Sequence, residues 1–466
     1  MHKNILFDLR IRGFLIKLFF VSALLFAFTG DACPQDLSIA EMRINGVRCH
    51  IIGQDIYCYI LNDGQSPKIW YRATSGGLIN SNDLMLLRID FKPSERKRIL
   101  QIRLANKKGE EKKYTVHINL LPLMNGWYDN LAGIKNLAVF QELGYDTVFV
   151  YVDQKANDLS IENYLDEAGA RGINVILQVR REYIEKKDFN AIRSFVNKYK
   201  DHPAVLAWYL YDEPDQSLRK NGTPTPKMLE AAREAIMEED PEKPVFLCFG
   251  SYKNRQAYAY DFIRSYDVYM FDNYPCQLNE EEFYKHRFLF FSGLVQFGRD
   301  FVIKNYKAGF IFVTQAYGFD NEGRSQFQKR DPTINEYRYL VFTNLIRKPL
   351  GIINWTFYRS TRELREKVIY PVNRQYKSLL PFAVRGEFMS QKAVITPAVL
   401  KYNLGEYDGN VCLIVVNESK ESTAGSFSVR ASVITDIFED RNILIRGGSF
   451  YDVFEPYQVK VYLWKK

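Results

Sequence analysis

The 466-residue chain is predicted to be an α/β protein, a (β/α)8 TIM barrel flanked by an N-terminal and a C-terminal β-sandwich. Three observations carry that prediction. Between 122 and 384, apolar strand-like runs alternate with amphipathic helical stretches, whereas on either side the pattern is the two-residue alternation of half-buried strands. The middle region holds eight such runs in roughly 260 residues, against about 250 for a (β/α)8 barrel. One of them, Trp208 to Pro214, reads Trp-Tyr-Leu-Tyr-Asp-Glu-Pro, an apolar run that ends in two acids and a proline and so delivers carboxylates to a rim.

The first 33 residues have a basic start (Lys3, Arg10, Arg12, Lys17), an apolar stretch from Leu18 to Phe28, and small residues before Cys33. That stretch is short for a spanning helix and suits a secretory signal peptide. The protein is therefore expected to be exported, to the periplasm, the cell exterior or the cell surface. Cys33 is a candidate lipid anchor, although Asp31 stands where a small or hydroxylated residue is expected. Export bears on the six cysteines, because disulfides persist in oxidising compartments. If Gly53-Gln54 forms a two-residue turn, Cys49 and Cys58 fall opposite each other at a close, non-hydrogen-bonded pair and can be bridged.

From 35 to 121 six short strands are expected: Val47 to Ile52, Ile56 to Leu61, Lys68 to Arg72, Leu84 to Phe91, Arg98 to Leu104 and Tyr114 to Leu120. The barrel strands follow around Leu121 to Tyr128, Tyr145 to Val152, Ile173 to Val179, Val205 to Tyr211, Val245 to Gly250, Asp267 to Tyr274, Phe310 to Gly318 and Gly351 to Tyr358. From 385 to 466 helices give way to strands at Val411 to Val416, Ser426 to Ala431, Val433 to Phe438, Ile443 to Arg446 and Gln458 to Leu463.

Composition narrows the function. The net charge of +8 comes from Lys and Arg spread along the chain, with no basic stripe, so a nucleic-acid partner is not expected. His50, His117, His202 and His286 lie scattered without ligand spacing, and Cys248, Cys276 and Cys412 read as buried residues, so no metal is expected. The absence of a Gly-rich phosphate turn argues against a doubly wound sheet and a nucleotide cofactor, and none is expected. Aromatic residues make up 15% of the chain, enough to pack a barrel and also to offer faces on which sugar rings stack.

In a barrel the reactive face is formed by the C-terminal ends of the strands. The last polar residues of each run are Trp127 and Asp129, Tyr151 and Asp153, Gln178 and Arg180, Asp212 and Glu213, Asp272 and Tyr274, Gln315 and Tyr317, and Trp355 and Arg359. From these the expected catalytic groups are Glu213, Asp212 and Asp272. The expected substrate-binding groups are Trp127, Tyr151, Asp153, Arg180, Tyr274, Gln315, Tyr317 and Trp355. An acid in an aromatic pocket next to a second acid stays protonated more readily, so one of the Asp212-Glu213 pair can act as a proton donor near neutral pH.

These residues resemble the glycoside hydrolases of clan A, within them the secreted barrels with accessory β domains. His202-Pro203 through Glu213 looks like the fourth-strand motif whose terminal Glu is the general acid/base. Asp272-Asn273-Tyr274-Pro275 looks like the sixth-strand aromatic segment, and Gly351 to Trp355 like the eighth-strand sugar platform. The chain departs from the family twice. Asp212 stands where the family usually has Asn, and Gln315 occupies the slot of the nucleophilic Glu. A neutral amide cannot form a covalent glycosyl intermediate. The resemblance then implies hydrolysis of a poly- or oligosaccharide with Glu213 as general acid by one of two routes. One is inversion with Asp272 or Asp153 as base. The other is substrate assistance, with Asp212 orienting an acetamido group and Gln315 or Tyr274 meeting the developing charge. The competing expectation is a carbohydrate-binding protein that keeps the pocket without catalysis.

Overall fold

The computed structural model describes residues 38–52, 54–61, 68–74, 85–88, 97–105, 111–154, 156–250, 255–278, 286–389 and 397–466. The expected signal peptide, Cys33 and Gly53 lie outside the described residues. The chain divides into two compact units. One runs to Leu123 and includes Pro241–Pro244 and Val302–Ala308; the other comprises Met124–Asp240, Val245–Phe301 and Gly309–Lys466. Among the described residues no helix is long and apolar enough to cross a membrane.

The first unit holds two four-stranded sheets. One runs Val47–Arg48, Ser38–Ile44, Lys68–Thr74, Met85–Arg88; the other runs His50–Ile52, Asp55–Leu61, Glu111–Leu121, Lys97–Ala105, with a parallel pair at its centre. Alternate residues Met42, Ile44, Ile56, Ile60, Val116 and Ile118 meet in the core, as period-two patterning requires. The register Ile52↔Asp55, Ile51↔Ile56, His50↔Tyr57 brings Cys49 opposite Cys58. A disulfide joins them, with Cα atoms 4.6 Å apart.

The second unit is built on a closed, all-parallel barrel of eight strands: β1 (Met124–Asn130), β2 (Thr147–Tyr151), β3 (Asn174–Gln178), β4 (Val205–Asp212), β5 (Val245–Phe249), β6 (Val268–Asp272), β7 (Gly309–Gln315) and β8 (Gly351–Trp355). β8 pairs back onto β1 with Gly351 opposite Met124. Helices between the strands start where the sequence caps them. Asp188 accepts from Ala191 N, Thr225 precedes Pro226, and Thr333 with Glu336 forms a capping box. Tyr128 of β1, Phe149 of β2, Tyr209 of β4 and Phe246 of β5 form ring pairs with centroids 5.1 to 5.9 Å apart. Because β2 is not a neighbour of β4 or β5, these rings meet inside the barrel. Much of the aromatic content is therefore barrel core.

The C-terminal region forms a six-stranded sheet in the order Glu387–Met389, Leu400–Tyr407, Asn410–Asn417, Val459–Lys465, Val433–Asp436, Arg441–Leu444. A two-stranded ribbon, Thr423–Ser428 with Ser449–Phe454, packs Phe427, Phe450 and Phe454 against Tyr402, Leu413 and Tyr462 of that sheet. Three of these strands, Glu387–Met389, Leu400–Tyr407 and Ser449–Phe454, were not expected from the sequence. Leu400–Tyr407 is broken by Gly405, where a Cβ would strike the carbonyl of Phe382 in the helix Tyr370–Arg385, so the glycine marks close backbone approach.

Arg347, 1% exposed, follows the helix Ile334–Leu345 and forms a bidentate pair with Glu418 of the C-terminal region, at 2.7 and 2.9 Å. Gln296 and the Thr343 carbonyl complete its shell. Removing one member of a buried pair leaves a charge without its counter-ion and costs about 3–5 kcal/mol. Glu418→Ala is accordingly expected to lower the urea midpoint for this unit by that equivalent, measured by equilibrium unfolding followed by tryptophan fluorescence.

Candidate active site

The C-terminal mouth of the barrel holds a cavity of about 250 Å³ lined by Tyr128, Tyr151, Asp212, Glu213, Cys248, Asp272, Tyr274, Val313, Tyr317, Phe327 and Trp355. That is smaller than the roughly 300–1,000 Å³ of sites for drug-sized ligands, so it suits one ring-sized group.

The end of β4 is not a regular strand. Against β5 the register runs Tyr209↔Phe246 and then Tyr211↔Leu247, so Leu210 is an extra residue in a bulge. A strict alternation would send Tyr209 and Asp212, three apart, to opposite faces; the bulge turns both inward. Tyr209 Oη then donates to Asp212 Oδ1 at 2.5 Å, and Tyr151 Oη donates to Asp212 Oδ2 at 3.0 Å. Tyr128 Oη donates in turn to Tyr209 Oη at 3.2 Å. Burial raises the Asp212 carboxyl above its ordinary range, opposed by the two tyrosines and by the Arg181 charge.

Glu213 follows in the left-handed region, φ 50 and ψ 54, which a non-glycine residue enters at a cost of about 1–3 kcal/mol. Its amide donates to Cys248 O at 2.9 Å. This reversal turns a second consecutive carboxyl into the pocket, where Gln216 Nε2 donates to Glu213 Oε1 at 2.5 Å. Gly250 leaves the room: a Cβ there would lie 2.6 Å from Glu213 Oε1 and strike Gln216. Asp272, at the end of β6, lines the same pocket, and its charge acts on Glu213. Burial, then the charges of Asp272, Asp212 and Asp215, push the Glu213 carboxyl up to about 10. At neutral pH the carboxyl therefore favours its protonated form.

The opposite wall is aromatic. Tyr274 stacks on Trp355 with centroids 5.4 Å apart, Tyr317 meets Trp355 edge-on at 4.7 Å, and Phe327 stands 6.1 Å away at the rim, 59% exposed. Ring faces beside carboxyls can stack a sugar and bond its hydroxyls.

The structure gathers Glu213, Asp212, Asp272, Tyr151, Tyr274, Tyr317 and Trp355 around this cavity. Four expected site residues lie elsewhere. Trp127 is fully buried against Phe140, Tyr145 and Phe357 outside the strands, because on β1 it is Tyr128 that faces in. Asp153 is exposed past the end of β2. Arg180 is spent on the carbonyls of Ala156 and Asp153, with Glu182 3.7 Å away. Gln315 is buried as a structural clamp. Its Oε1 accepts from Cys276 N at 2.8 Å, and its Nε2 faces the carbonyls of Cys276, Tyr317 and Arg330 at 3.0 to 3.2 Å. The amide has two N–H donors to share among the three carbonyls; a carboxylate has none. Tyr128, Cys248, Val313 and Phe327 were not expected. Cys248 stands near the end of β5, but nothing in the sequence singles out Tyr128 over its neighbour Trp127, or Phe327 in the loop after β7. Among the described residues no group of three or more His, Cys, Asp or Glu could hold a metal ion.

No family model and no curated protein sequence matches the chain. Solved structures do. A putative alpha-galactosidase/melibiase from Bacteroides fragilis is similar over 91% of this chain and 98% of its own, with a TM-score of 0.52 and 10% identity. A GH27 β-L-arabinopyranosidase from Geobacillus stearothermophilus is similar over 74% of this chain and 96% of its own, with a TM-score of 0.51 and 11% identity. The chain thus shares its fold with these two proteins.

Gln315→Glu is expected to destabilise the protein by about 2–4 kcal/mol, since a carboxyl would face three carbonyls, read as a lower denaturant midpoint. Glu213 gives a pH test. Its folded value near 10 lies above an unfolded value near 4.5, so the native state holds a proton that the unfolded chain releases. Stability from this group is fully present below pH 4.5 and is lost as pH rises toward 10. The melting temperature of Glu213→Gln relative to the wild type should therefore increase between pH 5 and pH 8; a constant difference would contradict the raised value.

Proposed function

We propose that the chain is an exported glycoside hydrolase in which Glu213 is the general acid. The observation that carries this is the cluster of Glu213, Asp212 and Asp272 in a ring-sized pocket whose other side is Tyr274, Tyr317 and Trp355, with burial and the neighbouring charges raising the Glu213 carboxyl. A carboxyl held protonated at neutral pH can give its proton to a departing glycosidic oxygen. The names of the similar structures favour this chemistry over the others that barrels host, as analogy. The Cys49–Cys58 disulfide supports export.

Gln315 takes no part in bond making, so the second carboxylate is Asp272. Inverting glycosidases keep their two carboxyls about 6.5–9.5 Å apart to admit a water. Asp272 would then take the proton of the attacking water as Glu213 gives its own to the leaving oxygen. A second reading is favoured by Asp212, held in the pocket by two tyrosine hydroxyls. There it would orient a substrate acetamido group whose carbonyl oxygen attacks the anomeric carbon.

Digestion of a broad panel of polysaccharides and aryl glycosides tests the proposal. Glu213→Gln should lower kcat by about 10²–10⁴-fold while glycan binding persists. A wild type that binds glycan and hydrolyses nothing is a binding protein instead. Proton NMR of the first-formed anomer separates the routes. Inversion, with Asp272→Asn as damaging as Glu213→Gln, supports water attack; retention confined to acetamido sugars, with Asp212→Asn as the damaging change, supports substrate assistance.

A further inference from the structure

Basic side chains at the barrel mouth are almost all engaged. Arg180 serves two carbonyls, Arg181 pairs with Glu185 at 2.6 Å, Arg330 pairs with Glu336 at 2.6 Å, and Lys329 Nζ donates to Tyr274 O at 2.7 Å. Arg359, just past β8, differs. Its guanidinium lies 4.8 Å from the Phe327 ring centroid and 5.6 Å from that of Trp355, two of the pocket-lining rings, with Tyr358 at 5.5 Å. Its Nε is buried with no hydrogen-bond partner, and among the described residues it forms no ion pair. The backbone around it is fixed: Arg359 O accepts from Gln326 Nε2 at 2.9 Å, which ties the segment before Phe327 to the end of β8.

A guanidinium stacked on rings is held in position while its planar donors stay available, the arrangement that suits bidentate capture of a carboxylate or sulfate. The pocket is lined by Asp212 and Asp272 beside the protonated Glu213, so an anionic ligand needs a cation to meet it there. We propose that Arg359 receives an anionic substituent, carboxylate or sulfate, on the sugar that stacks at Trp355 and Phe327. This rests on the glycan reading of the same site and narrows its substrate to acidic glycans.

Affinity electrophoresis through gels containing galactan (neutral), polygalacturonate (carboxylate) or carrageenan (sulfate), and in parallel xylan or glucuronoxylan, tests it. Because the chain carries a net charge of +8, Arg362→Gln serves as the control for loss of one positive charge; Arg362 is an exposed residue paired with Glu366. The wild type and Arg362→Gln should be retarded by at least one anionic polymer about tenfold more strongly than by its neutral counterpart. Arg359→Gln should lose that difference, and Arg359→Lys, which keeps the charge without the fork, should recover part of it. Whether carboxylate or sulfate is the ligand follows from which polymer retards. Equal retardation by neutral polymers, none by any anionic polymer, or a preference that survives Arg359→Gln overturns the inference. Hydrolysis of the same polymers is scored separately. Arg359-dependent retention without turnover would remove the hydrolase reading and leave this one standing; turnover of neutral polymers alone would do the reverse.

Discussion

The site depends on how the chain leaves β4. Two local departures from regular strand geometry occur within four residues: the bulge at Leu210 and the left-handed conformation of Glu213. Without the first, Tyr209 and Asp212 could not both face the barrel interior. Without the second, Glu213 would point away from the face that Asp212 occupies. Their combined effect is two consecutive carboxyls in one pocket, an arrangement an ideal strand forbids. The helix Pro214–Asn221 begins at once, with Pro214 at a position where its missing N–H costs nothing. The strained residue is thus clamped between a strand end and a helix start, which over-determines its conformation.

Around this turn the structure supplies donors selectively. Asp212 receives two tyrosine hydroxyls, and the Arg181 charge adds to their stabilisation of the carboxylate. Glu213 receives one amide and faces the charges of Asp272, Asp212 and Asp215, so burial and repulsion together raise its affinity for a proton. The amide at Gln315 belongs to a separate task. It fastens the segments after β6 and β7, and so carries the aromatic wall of Tyr274 and Tyr317 rather than any reacting group.

Much of this was legible in the sequence, because apolar runs followed by helices report a barrel through periodicity alone. All eight strands were anticipated, and the acids at the end of β4 stood out by their position after an apolar run. What periodicity cannot report is a change in its own phase. Trp127 and Tyr128 are both aromatic neighbours at the end of β1, and only the fold shows that the first packs on the helices and the second faces the pocket. The bulge at Leu210 leaves no compositional mark. Gln315 misled for a different reason: its strand position is that of a reacting group, but its partners are backbone carbonyls from distant segments, which sequence does not list beside it. In the C-terminal region Gly405 broke a strand pattern for the sake of close packing on a helix.

Strand β5 supplies the remaining condition. Glu213 at the end of β4 and Asp272 at the end of β6 are separated by β5, so their side chains can meet only if β5 stays out of the way at that level. It does so with two small residues. Cys248 pairs in register with both Asp212 and Met270, and Gly250, whose amide donates to Asp215 Oδ1 at 3.0 Å, has no side chain at all. Burial and the surrounding acids push the Cys248 thiol well up, so it stays neutral and adds no charge to an already acidic site. A Cβ at Gly250 would already crowd Glu213 Oε1 and Gln216 Nε2. The sequence Cys-Phe-Gly closing β5 is therefore as much a part of the acid pair as the carboxyls themselves.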